Sequence, residues 1–217
     1  MHLTLAVAPH RTLEVGAFVT RFDKPLVELA TPSSIIEFLD PGVQPPFVSS
    51  DTVRAEVRQL LRVGGFKPAG RSKPASEYLH AANFEGRFPT INAAVDACNI
   101  ASLCSGLPIS LVDLDRVIGP LSIGVCPPNT SYVFNPSGQV IEAGGLLALF
   151  DSEGPTGTPV KDAQRTKTHD ATQTTLSIVW GTRSLPGRTA KATAWYRELV
   201  GMIPGAQIED VEVCYSS

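Results

Sequence analysis

The stretch Arg87–Asp115, RFPTINAAVDACNIASLCSGLPISLVDLD, decides how this chain folds. Its middle predicts a helix, with Thr90 as N-cap behind Pro89 and Gly106 as the closing residue. At about 100° per residue, Ile91, Ala94, Val95, Ala97, Cys98, Ile100, Ala101 and Cys104 spread over nearly the whole circumference. A helix apolar all round is a buried one. A narrow stripe of Asn92, Asp96 and Asn99 breaks the rule, carrying short amide and carboxylate groups where a solvated face has Lys, Glu or Arg. Buried polar groups are hydrogen-bonded and buried carboxylates are paired. The stripe is therefore expected to tie down a neighbouring segment, to border a pocket, or to do both.

Outward from this helix, LPISLVDLDRVIG mixes strand and turn, and LSIGV and SYVFN read as strands separated by CPPNT. SGQVIEAGGLLALFD gives a further strand pair around Gly144 and Gly145. Upstream, a helix capped by Ser50 or Asp51 runs to Leu61, burying Val53, Val57, Leu60 and Leu61 and ending at Gly64 and Gly65. Arg54, Arg58 and Arg62 form a separate stripe on it, with Lys67, Arg71 and Lys73 following. That stripe is either a solvated face or a local patch able to contact phosphates. A short helix begins at Pro74 or Ala75. Residues 3–8 and 13–20 read as paired strands, and Ser33–Asp40 as one short helix. TTLSIVWG is a strand, RTAKATAWYRELV a helix, and QIEDVEVCY an alternating strand. Strands at both ends with helices grouped in the middle argue for an α+β fold with a mixed or antiparallel sheet. One domain over residues 1–217 is expected, with 1–48 as an N-terminal extension packed on it and 181–217 as a C-terminal helix and strand.

The longest stretch without apolar periodicity is DSEGPTGTPVKDAQRTKTHDAT, from Asp151 to Thr172. It reads as a functional loop carrying Asp151, Glu153, Lys161, Asp162, Arg165 and Lys167; the bland alternative is a salt-bridged surface loop.

Bulk properties narrow the function. Hydrophobic content is 43% and charge 18%, ordinary for a soluble globular chain. A net charge of −3 advertises no global affinity for nucleic acid, so such a partner needs a local patch. No apolar run is long enough to span a membrane, and MHLTLAVAPHRTL lacks the features of a signal peptide. Cys98, Cys104, Cys126 and Cys214 fit no CxxC or zinc pattern and read as reduced core or near-core thiols of a cytoplasmic protein. His2, His10, His80 and His169 are scattered, so neither a metal nor a cofactor is expected. No GxSxG elbow, P-loop, GxGxxG or HExxH is present. Asp113 and Asp115 flank Leu114 and point to opposite faces of an extended segment, which disfavours a catalytic carboxylate pair. The residues alone thus describe an α+β domain with a polar-lined helix and a charged loop.

The run PTINAAVDACNIASLCSGLPISLVDLDRVIG resembles the B3/B4 domain of the bacterial phenylalanyl-tRNA synthetase β subunit. Matching positions are Ile91, Asn92, Val95, Asp96, Asn99, Gly106, Pro108, Asp113, Asp115 and Gly119, in ungapped spacing. Weaker similarity extends from Arg54 to Trp180, and RSKPASEYL and TPVKDAQRTKT look like the free-standing branch of the family. The resemblance implies a layered α+β fold around a barrel-like sheet flanked by helices. It also implies an editing activity, the hydrolysis of the ester joining a wrong amino acid to a tRNA 3′ end. Ser110 stands where the family has histidine, and Glu153 is a loose counterpart of the family's glutamate, so that pair does not carry over.

On this resemblance the chain is expected to be a free-standing deacylase of mischarged tRNA, with no DNA or membrane partner. Ser110, Lys161, Asp162 and Arg165 are the catalytic candidates. Asn92, Asp96, Asn99, Asp113, Lys167 and Glu153 would line the amino-acid pocket, and Arg54, Arg58, Arg62, Arg71 and Lys73 would bind tRNA. Lys161, Arg165 and Lys167 would meet phosphates or the oxyanion, and Asp162, Asp151 or Glu153 the α-amino group. The alternatives are a non-catalytic tRNA- or small-ligand-binding module, and a small-molecule esterase or amidase.

Overall fold

The computed structural model describes residues 3–216. In chain order the elements are β1 (Leu3–Val7), β2 (Leu13–Phe22), α1 (Ser33–Ile36), α2 (Asp51–Arg62), α3 (Ala75–Phe84) and α4 (Ala93–Ser105). Then come β3 (Ile109–Asp113), β4 (Ser122–Val125), β5 (Ser131–Val133), β6 (Val140–Glu142), β7 (Leu147–Asp151) and β8 (Gly154–Gly157). The chain closes with β9 (Thr174–Thr182), α5 (Arg188–Gly201) and β10 (Ala206–Tyr215).

Eight strands form one sheet in the order β3-β9-β2-β10-β1-β4-β7-β8, and β5 pairs with β6 in a separate hairpin. Pairing is antiparallel except around β1, which runs parallel to both β10 and β4. The two edges, β3 and β8, curl toward each other. The Ser110 hydroxyl in β3 donates to the Thr158 carbonyl just past β8 at 3.1 Å, and Val112 forms a single bridge with Lys167. The sheet is therefore a nearly closed barrel flanked by helices, the mixed α+β architecture expected. The approach of β3 and β8 also shields the two edges of this sheet, and exposed strand edges promote aggregation.

β9 explains the layering: all nine of its residues are buried, so both faces of the sheet are covered there. α5 packs on β2, β9 and β10, and α4 packs against α5, α3 and β3. α4 is the buried rod predicted from its sequence, with only Val95 and Asn99 keeping partial exposure. It ends at Gly106, whose φ of 70° is left-handed. An added Cβ there would sit 2.4 Å from the Ser49 hydroxyl, so glycine also permits α2 to close against the helix end.

Three local expectations are corrected. α4 is capped by Asn92, which accepts from Val95 N at 3.0 Å, rather than by Thr90; Ile91 consequently lies outside the helix and is exposed. Residues 154–157 are a strand, not loop, because GPTG pairs through its backbone with β7 and so needs no side-chain alternation. Cys214 is exposed, whereas Cys98, Cys104 and Cys126 are buried. Burial pushes the Cys98 and Cys126 thiols up to about 12 and Cys104 to about 11, which keeps all three protonated and inert. The two N-terminal strands, β1 and β2, both lie in the sheet but are not paired with each other as expected, because β10 runs between them. Among the described residues no helix is long and apolar enough to cross a membrane, and no His, Cys, Asp and Glu gather as a metal site. His2 lies outside the described residues.

Candidate ligand-binding cleft

The charged segment after β8 is not a free loop; it fills the seam between the barrel edges. Asp162 Oδ2 accepts from Leu111 N in β3 at 3.2 Å, and Oδ1 accepts from Thr158 N at 3.1 Å. The residue keeps some surface, but its carboxylate is turned inward and packed round. Burial pushes it up to about 6, against the opposing pull of the Ser110 hydroxyl, the two N–H groups and the Lys167 ammonium. Ser110 is fully buried and also accepts from the Trp180 indole at 2.9 Å. Gly157 makes the seam fit, since a Cβ there would lie 3.0 Å from Ser110 Cβ and 3.1 Å from Asp162 Oδ1. Ser110 and Asp162, both named as catalytic candidates, thus meet at the latch of the barrel, where their polar atoms are engaged with the backbone and Trp180.

Arg165 is likewise consumed. Its guanidinium holds the Asp151 carboxylate with two bonds of 2.8 and 2.6 Å, and it donates to the Gly154 and Pro155 carbonyls at 3.0 and 3.3 Å. Burial alone would raise the Asp151 carboxyl; the Arg165 bonds and the Ile118 and Glu153 N–H groups outweigh it and hold the carboxyl below its usual range. Glu153 lies at the exposed margin of this pair, 4.0 Å from Arg165. Asp113 is buried, accepting from the Thr172 hydroxyl at 2.6 Å and facing His169 Nε2 at 3.2 Å.

Lys161 behaves differently. It lies on the surface between two adjoining depressions and lines both, as does Tyr78. The larger, about 660 Å³, is bounded by Arg71, Ser72 and Tyr78 on one side and by Phe134, Gln139, Val140, Ile141 and Glu142 of the β5–β6 hairpin on the other. The smaller, about 320 Å³, is lined mainly by apolar groups (Ala75, Leu79, Pro89, Ile109 and Val160), with Asn99 at its wall. The Lys161 ammonium stands 3.8 Å over the Phe134 ring. Burial lowers its pKa, and the nearby Arg71 and Lys167 cations lower it further. Lys167 is anchored by donating to the Phe134 carbonyl at 2.6 Å; burial lowers its pKa, and Asp162 opposes that shift. Tyr132 sets the position of Lys161 by bonding the Lys161 carbonyl and, at 2.9 Å, the Thr158 hydroxyl.

The polar stripe of α4 divides. Asn92 is a cap, and buried Asp96 accepts from the Thr31 hydroxyl at 2.6 Å and Ile91 N at 2.7 Å, so both tie down neighbouring chain. Asn99 alone borders the cleft. The basic stripe divides too. Arg58 is held by Glu77 through two bonds of 2.6 Å, and Arg54 pairs with Asp51 on the surface. Arg62 faces a depression of its own with Lys67; Arg71 faces the cleft; Lys73 and Arg54 line a further cavity. The cations of the stripe and of the segment after it thus face three different depressions, and the middle arginine turns to Glu77.

Tyr78, Phe134 and Glu142 carry no functional signal in the sequence. Tyr78 falls within the segment of resemblance without a role. Phe134 and Glu142 sit in short alternating strands, and nothing in SYVFN or QVIEAG signals that the hairpin packs across from Lys161.

No family model matches this chain, and no curated protein matches it. Among solved structures, an N-terminal fragment of the phenylalanyl-tRNA synthetase β-subunit from Pyrococcus horikoshii overlaps it with a TM-score of 0.49 and 11% sequence identity. The overlap covers 100% of this chain and 53% of that one, so the chain spans about half the length of that fragment. Agreement at this level assigns neither an activity nor residue roles.

Proposed function

We propose that the protein binds the aminoacylated 3′ end of a mischarged tRNA in the Tyr78–Lys161 cleft and hydrolyses its ester. The observation that carries this reading is Lys161. It is a partly desolvated cation where an apolar lobe meets a polar one, clustered with Arg71 and Lys167, and among the described residues no carboxylate pairs with it. In this reading the amino-acid side chain enters the apolar lobe beside Asn99, and the terminal nucleoside occupies the polar lobe. Water adds to the ester carbonyl carbon, and the Lys161 ammonium donates to the developing oxyanion. The ester C–O bond then breaks, the ribose oxygen takes a proton, and the amino acid leaves as its carboxylate. Glu142, on the rim, accepts the proton of the attacking water, with the vicinal ribose hydroxyl as a second route.

A non-catalytic binding module is the second reading. It is favoured by the structural use of Ser110, Asp162 and Arg165, which leaves Lys161 as the one sequence-predicted catalytic residue lining this cleft. Incubating the protein with tRNAs mischarged with many different amino acids separates the readings. Release of amino acid from at least one species supports the deacylase. Binding that leaves every ester intact selects the binding module and overturns the hydrolytic reading. Equal cleavage of free amino-acid esters would instead identify a small-molecule esterase.

A further inference from the structure

The cations between α2 and α3 sort into those already neutralised and those facing open cavities. Arg58 is spent on Glu77. Arg71 and Lys73 lie two residues apart at the short 3-10 turn Gly70–Ser72, and among the described residues neither makes an ion pair. They face different spaces. Arg71 joins Lys161 in the cleft, while Lys73 lines a second cavity of about 400 Å³ with Arg54 and His80, between the start of α2 and α3; the two carboxylates on its wall, Asp51 and Glu77, are engaged by Arg54 and Arg58. The Arg54–Asp51 pair is an exposed contact within one helical turn, which contributes little and leaves Arg54 free to meet another anion. Tyr78 donates to the Gly70 carbonyl at 3.2 Å, bracing the turn from the cleft side.

We infer that this turn is a saddle over which a single nucleic-acid strand passes, its 3′ terminus in the Lys161 cleft and its preceding phosphates against Lys73 and Arg54. The inference rests on the deacylase reading for the choice of strand, and adds the direction in which the strand leaves the site. Cations on both sides of one turn suit a chain that carries a negative charge at every step, and the aromatic rings of Tyr78 and Phe134 suit unstacked bases. A compact anion would occupy one cavity and be indifferent to the other.

The test uses unacylated RNA oligonucleotides, so it reads binding whether or not any ester is hydrolysed. Fluorescence anisotropy compares a trinucleotide CCA with a hexanucleotide ending in CCA, on the wild-type chain, Lys73→Ala, Arg54→Ala and Arg71→Ala. The hexamer is expected to bind more tightly than the trimer. K73A weakens the hexamer about fivefold and leaves the trimer unchanged, and R71A weakens both. The salt slope of hexamer binding falls by about 0.7 for each phosphate that is no longer neutralised. Lys73 and Arg54 are surface side chains, and an unchanged melting temperature confirms folding in each variant. The saddle is overturned if K73A and R54A bind the hexamer as the wild type does, or if an oligoaspartate of the same length competes equally. Deacylation without a K73A effect overturns the saddle alone; a K73A effect without deacylation upholds the saddle and overturns the hydrolytic step.

Discussion

Replacing Arg165 by methionine separates a structural clamp from a catalytic cation. The Asp151 side chain is fully buried, and the Arg165 side chain is 30% exposed. Removing one partner of a buried pair costs about 3–5 kcal/mol. Here Asp151 keeps bonds from Ile118 N at 3.0 Å and Glu153 N at 2.9 Å, which favours the lower end, about 3 kcal/mol. For a chain of this size that lowers Tm by roughly 6–12 °C. The sign of the pH dependence follows from the depressed carboxyl. Its stabilisation is present above the unfolded value of 3.8 and is lost as pH falls through the folded value, so the gap between R165M and wild type narrows in acid. Urea unfolding at neutral pH and near pH 3 measures both effects, and Asp151→Asn with R165M should recover part of the loss. An R165M protein within about 0.5 kcal/mol of wild type at neutral pH would refute the clamp.

Other expectations follow from the seam and the cleft. Asp162, raised to about 6, binds more protons folded than unfolded between 3.8 and 6, so wild-type stability falls as pH rises through that window, by at most about 3 kcal/mol. Partial exposure of the residue reduces this figure. Asp162→Asn should flatten that slope in thermal melts; an unchanged slope would remove Asp162 as its source. Gly157→Ala forces a Cβ against Ser110 and Asp162 and should cost about 1–3 kcal/mol in denaturant melts, with no loss arguing that the barrel seam is loose. Because burial and neighbouring cations lower the Lys161 pKa, the alkaline limb of deacylation should lie below the ordinary lysine value of 10.5. Lys161→Arg should move that limb upward, and an unmoved limb would assign it to another group.

The parts of the fold legible in the sequence are those set by local rules. The α4 rod, the α2 stripe of Val53, Val57, Leu60 and Leu61, and the strands at both ends follow from periodicity and composition. β8 is not legible, since GPTG carries no pattern and becomes a strand only because β7 lies beside it. The site is legible as a segment but not as roles. Lys161, Asp162, Arg165 and Lys167 are close in sequence, yet Asp162 and Arg165 turn into the seam. Lys161 alone of the four lines the cleft. Which way each points depends on partners far along the chain, such as Leu111 for Asp162 and Phe134 for both lysines. The basic stripe is divided for the same reason: Glu77, on another helix, holds Arg58.

The most direct test of the cleft as the working site is the initial deacylation rate of Lys161→Ala beside wild type, on the mischarged tRNA released fastest in the panel. Losing one oxyanion donor predicts a rate drop of about 100-fold or more, with melting temperature unchanged because, among the described residues, the ammonium contacts the Phe134 ring and makes no hydrogen bond or ion pair. A K161A protein that deacylates at the wild-type rate would contradict the account and move the chemistry away from the Tyr78–Lys161 cleft.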